Sequence, residues 1–98
     1  MINDRNKIKK RDIINRIAKE TGVSNVQVKK ICDMFIAIIK DELCKGREVS
    51  ISGFGSFFIR RHKGHPVQFG AKDGEIKDYP VVRFTASKVF AAYIKKIL

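Results

Sequence analysis

Apolar positions in the first half of the chain recur at helical spacing. Between residues 9 and 21 they are Ile13, Ile14, Ile17 and Ala18, which predicts a first helix. Gly22 supplies its stop. Ser24, followed three residues later by Gln27, has the form of a capping box. A second helix is expected over about 25–45, ended by Gly46. Its apolar set is Val28, Ile31, Cys32, Phe35, Ile36, Ile38, Ile39 and Leu43. That is broader than the stripe needed to dock on one neighbour, and it predicts burial against two, one from a second chain.

From Arg47 the period changes from helical to alternating. Val49 and Ile51 read as a first strand, and Ser52-Gly53 as a turn. Phe54, Phe57 and Ile59 belong to a second strand, with Phe58 on its opposite face. The segment FGAKDGE, residues 69–75, is rich in turn formers and predicts a hairpin tip. Residues 76–84 return as a third strand, in which Pro80 suits an edge or a bulge because it has no N–H to donate. Thr85 is the expected cap of a last helix over 86–97, with Val89, Phe90, Tyr93, Ile94 and Ile97 as its apolar face.

The expected class is α+β. A basic lead, residues 1–8, read as flexible, precedes a single domain over 9–98. Within it, 9–46 is the helical dimerisation part, 47–84 the antiparallel sheet and its long hairpin, and 85–98 the last helix. The hairpin from 57 to 84 is too long for three short helices to cover, so its outer half is expected to project. A two-stranded ribbon alone is marginal in water, so a projecting one calls for a partner.

Charge narrows that partner. The chain of 98 residues has 21 Lys and Arg against 10 Asp and Glu, a net charge of +11. Such an excess favours an anionic partner, either nucleic acid or a membrane surface. No apolar run approaches the ~18 residues needed to span a bilayer. The opening MINDRNKIKKRD has no apolar segment of signal-peptide type, which predicts a cytoplasmic protein. Cys32 and Cys44 are expected as free thiols, with no ligand at zinc spacing. His62 and His65 are too sparse for a metal site, and no nucleophile–base pair stands in a convincing frame. No enzyme, cofactor or small-molecule substrate is expected.

The residues now on the page carry a resemblance. KRDIINRIAKETGVS opens the first helix pair, KGREVSISGFGSF crosses the first turn, and VVRFTASK enters the last helix. In this order the chain resembles the HU and integration-host-factor family of bacterial DNA-bending proteins over residues 9–97. The resemblance implies an intertwined dimer, of like or unlike chains, whose two β-arms hold double-stranded DNA by the minor groove. This mode of binding is a general example for the family. It also implies association with the nucleoid. The candidate contacts on the arm are Arg60, Arg61, Lys63, His65, Pro66, Phe69, Lys72 and Lys77, with Arg83 and Lys88 near its base. Lys10 matches a basic position of the family, and Arg47 flanks the first turn. Lys29 and Lys30 read as solvated, and Lys95 and Lys96 suit the negative end of the last helix.

The arm departs from the family at one point. The family wedges a proline between base steps from the arm tip. Counting from GFG places that residue near 70, and counting back from VVRF places it near 68; Pro66 misses both, and Phe69 lies close to each. Phe69 is therefore the candidate intercalating residue, with Pro66 in a shorter, bulged arm as the alternative and no intercalation as a third. Three functions stay open: sequence-tolerant DNA bending, site-preferring bending of the integration-host-factor type, and a basic module binding an acidic protein or membrane surface. A helix-turn-helix repressor is disfavoured, because the second helix is too apolar at its centre to enter a major groove.

Overall fold

The computed structural model describes residues 6–69 and 72–98; for 65–69 and 72–76 it describes the backbone alone. The chain divides into two compact units, Met1–Ile39 and Lys40–Leu98. The first holds α1 (Lys10–Thr21) and most of α2 (Asn25–Cys44). The Lys9 backbone N–H donates to the Asp12 carboxylate at 3.0 Å, a one-way side-chain cap at the start of α1. The Ser24 hydroxyl accepts the Gln27 N–H at 3.2 Å and so caps α2 where the sequence places its start. Ile14 and Ala18 of α1 bury against Val28 of α2, with Cys32 partly buried beside them.

This core is small. Ile14, Ala18, Val28 and Leu43 are the buried apolar residues among those described, and no described side chain is fully removed from water. Along α2, Ile31 is 65% exposed, Met34 59%, Phe35 55% and Ile38 53%. The face predicted to meet two neighbours therefore meets fewer within one chain. On α3 (Lys88–Ile97), Val89, Tyr93, Ile94 and Ile97 are likewise exposed. Apolar patches of this extent mark interaction surfaces.

The second unit is built on β1 (Val49–Ile51), β2 (Gly55–His62) and β5 (Tyr79–Ala86), in the order β1–β2–β5. Both pairings are antiparallel, and Phe57 lies opposite Phe84. β3 (His65–Phe69) and β4 (Lys72–Ile76) form a separate two-stranded ribbon. The GFG motif serves the sheet at two points. Gly53 turns the chain at φ 78°, closing Ile51 C=O to Phe54 N–H at 3.0 Å. A type II turn needs such a residue at its third position. Gly55 has a different reason: a Cβ there would meet Thr85 O and would lie 2.6 Å from the Phe84 ring.

Several expectations change. Phe54 lies in the turn, not in the second strand, and its ring packs on Phe84 and Phe90 at 5.1 and 5.6 Å. Thr85 does not cap the last helix. It pairs with Ser56 inside β5, and Ser87 is the cap, its hydroxyl accepting the Phe90 N–H at 3.1 Å. The strand runs on because Thr85 is as good a strand former as a cap, and pairing with β2 decides between them. The tip is narrower than 69–75. Phe69 pairs with Lys72, so Asp73, Gly74 and Glu75 lie in β4 despite their turn-forming character. The third strand is not continuous either, since Lys77 and Asp78 separate β4 from β5. Pro80 lies in β5, an edge strand, as its missing N–H demands.

Candidate nucleic-acid interface

Strand alternation sorts the predicted arm residues onto two faces. Phe57–Phe84, Ile59–Val82 and Arg61–Pro80 are cross-strand pairs of one face. The rings of Phe57 and Phe84 lie 4.9 Å apart there. Beyond them Ile59, Arg61, Pro80 and Val82 share a cleft of about 720 Å³ with Lys40, Leu43 and Cys44 at the end of α2. Phe58–Arg83, Arg60–Val81 and His62–Tyr79 make the other face. Here the Arg60 guanidinium lies 5.9 Å from the Phe58 ring centre, and the His62 and Tyr79 rings are 5.0 Å apart. Arg60 and Arg83 thus stand on one exposed face with a tilted aromatic pair. Arg61, their neighbour in sequence, stands on the other.

The remaining candidates are dispersed. Lys63 and Lys77 are exposed at the break between the two sheets. Between them in space, the Gly64 backbone N–H donates to an Asp78 carboxylate oxygen at 2.6 Å. Lys88 opens α3 directly after the Ser87 cap, exposed. The side chains of His65, Pro66, Phe69 and Lys72 lie outside the described residues. Their backbone positions are set by register: Pro66 opposite Glu75 midway along the ribbon, and Phe69 opposite Lys72 at its last pair.

Two candidate cations are held by acids. The Lys10 ammonium donates to Asp33 at 2.5 Å, and Lys29 donates to the other oxygen of Asp33 at 2.7 Å. Hydrogen bonds from Lys10, then Lys29, lower the Asp33 carboxyl from 3.8 to about 2. A depressed acid stabilises the fold above its unfolded value, and that contribution is lost as pH falls through about 2. Both partners are exposed, so its size is small. Arg47 donates to Glu42 at 2.9 Å, and Lys45 lies near Asp41 and Glu42. The sequence could not reveal the Lys10–Asp33 pair, whose partners are 23 residues apart. The sequence assigns no role to Tyr79 and places Asp78 only on an exposed strand; their signal is the contacts they make with His62 and Gly64. Among the described residues no cluster of three His, Cys, Asp or Glu could hold a metal, and no helix is long and apolar enough to cross a membrane.

Comparison with known proteins decides the family. The family described as Bacterial DNA-binding protein matches residues 8–95, nearly the whole chain. The chain belongs to this family. Its relatives carry both names that the sequence suggested. HU from Thermus thermophilus is 31% identical over 91 residues, 92% of each chain. Integration host factor subunit alpha from Methylococcus capsulatus is 33% identical over 91 residues, 90% of this chain and 82% of that protein. HU from Thermotoga maritima is 42% identical over 52 residues, 53% of this chain and 58% of that one. Among solved structures, HU from Thermotoga maritima superposes with a TM-score of 0.65 at 28% identity, covering 89% of this chain and 98% of that one. The HU chain of an Anabaena HU–DNA cocrystal structure gives a TM-score of 0.79 at 24% identity, covering 89% of this chain and 97% of that chain, a likeness of fold. The α+β architecture read from periodicity is the fold of this family.

Proposed function

We propose that the protein is an architectural binder of double-stranded DNA, acting as a dimer of this chain. The observation that carries the reading is the exposed face of Arg60 and Arg83 on the three-stranded sheet of a family member. Guanidinium groups on such a face meet phosphates, giving affinity without reading sequence. Lys63, Lys77 and Lys88 extend the track, and Arg47 joins it by exchanging Glu42 for phosphate; Lys10, in the first unit, is a separate candidate contact through exchange of Asp33. The uncovered faces of α2 and α3 supply the surface that a second copy buries.

Phe69 is the residue we assign to intercalation, and its place in the last backbone pair of the ribbon supports that choice over Pro66. Inserting an apolar wedge costs about a few kcal/mol of unstacking, offset by contacts to the bent duplex. His65, Pro66 and Lys72 contribute contacts along the same ribbon. The relatives named HU and integration host factor match comparably, so tolerance of sequence is our default reading. A soluble, nucleoid-associated location follows from it.

The test is a gel-shift and bending assay on linear, nicked and four-way DNA across salt. Binding should persist without lipid, and log affinity should fall with log salt by roughly one unit per phosphate neutralised. Absence of duplex binding at low salt overturns the reading. Equal bending by the parent, Phe69→Ala and Pro66→Ala overturns the wedge alone. Competition between random and A-tract duplexes separates tolerant from site-preferring binding.

A further inference from the structure

The arm is a single hairpin in register but two sheets in hydrogen bonding. His62 faces Tyr79 at the end of one ladder, and His65 faces Ile76 at the start of the next. Two residues on each strand, Lys63-Gly64 and Lys77-Asp78, separate these pairs. No residue is inserted on either side, so this is no bulge. Pairing lapses for two positions and resumes in the same register.

What crosses the lapse is a side chain. The Gly64 N–H donates to the Asp78 carboxylate at 2.6 Å. A carboxylate competing for a strand N–H is a known way to divert backbone from a ladder. A bond to an ionised acceptor is also stronger than a neutral one. Charge makes the residue more telling. Asp78 lies beside Lys77, across from Lys63, in a chain of net charge +11. An acid here opposes phosphate binding, so its presence calls for another role. The neighbourhood supplies one. The His62 and Tyr79 rings, tilted against each other at 5.0 Å, close the body side of the lapse, while the distal ribbon begins directly beyond it.

We propose that Asp78 is a positioning residue: its bond to Gly64 is the clasp of a hinge that sets the direction in which the distal ribbon leaves the body, and thereby the bend imposed on DNA. The second half rests on the DNA-binding reading above; the clasp itself does not. With the bond closed, the ribbon leaves along one line. With it open, two residues per strand are free to rotate, and the distal ribbon samples several directions.

The experiment compares Asp78→Ala and Asp78→Asn with the parent. Asn keeps an acceptor oxygen and loses the charge, whereas Ala loses both. In the free protein, Gly64 amide exchange is expected to speed by about tenfold in Asp78→Ala and to stay near the parent in Asp78→Asn. On one end-labelled duplex at saturating protein, energy transfer should broaden and shift for Asp78→Ala and be restored by Asp78→Asn. The salt slope of binding should be the same for both variants, since both remove one charge. Unchanged Gly64 exchange in Asp78→Ala overturns the clasp, and so does an Asp78→Asn variant that tracks Asp78→Ala. A changed exchange with an unchanged bend distribution overturns the hinge. A parent that binds no duplex overturns the DNA reading instead, and the exchange data still judge the clasp.

Discussion

Arg60 and Arg61 are adjacent and chemically identical, yet alternation gives them different surroundings. Arg60 shares its face with Arg83 and lies over Phe58, whereas Arg61 shares the cleft at the end of α2. Arg60→Ala should weaken duplex binding by about threefold to tenfold at low salt and reduce the salt slope by about one unit. Arg61→Ala should leave the slope near that of the parent. Titration by fluorescence anisotropy at several salt concentrations measures both, and equal losses would contradict the assignment of faces. Gly55 shows the same dependence on surroundings. Its missing side chain leaves the room that Thr85 O and the Phe84 ring occupy. Gly55→Ala should cost about 1–3 kcal/mol of overpacking. Thermal unfolding followed by circular dichroism should show a midpoint lower by about 5–15 °C.

Elements add a second layer of decision. Periodicity located both N-terminal helices and the span of the hairpin, 57 to 84. It misplaced the end of the last strand, since Thr85 and Ser87 are both competent caps and only pairing with β2 removes Thr85 from the choice. Ser87→Ala should therefore destabilise by about 1 kcal/mol, a typical loss for an N-cap. Thr85→Ala should cost no cap at all and lower the midpoint less. Comparison of the two melting curves tests this, and the reverse order would restore Thr85 as the cap. The arm tip failed for a related reason. Asp73 and Gly74 look like turn residues, but the register through Phe69 and Lys72 carries them into β4.

For the whole molecule, the deciding quantity is the core. Four buried apolar residues among those described are few for a chain of 98, because a small domain buries a small share of its surface. The exposed Ile31, Met34, Phe35 and Ile38 complete the account only if a second chain covers them. The melting temperature should then rise with protein concentration, as it does when folding and assembly are linked. Phe35→Asp should yield either a monomer in sedimentation or an unfolded chain by circular dichroism. A variant that stays dimeric with an unchanged midpoint would place the interface elsewhere.

Pattern and charge, properties carried by each residue wherever it ends up, sufficed for the α+β class, the two helix starts, the Gly53 turn and the expectation of an anionic partner; the family was carried by the motifs around Gly53-Phe54-Gly55 and at the two helix entries. Period and net charge are local or additive, so they survive without coordinates. The sharing of one face by Arg60 and Arg83, the hold of Asp33 on Lys10, the reason for Gly55 and the bond from Gly64 to Asp78 did not survive. Each depends on which residues of distant sequence come to lie opposite one another. Register and packing decide that, and they exist only once the chain has folded.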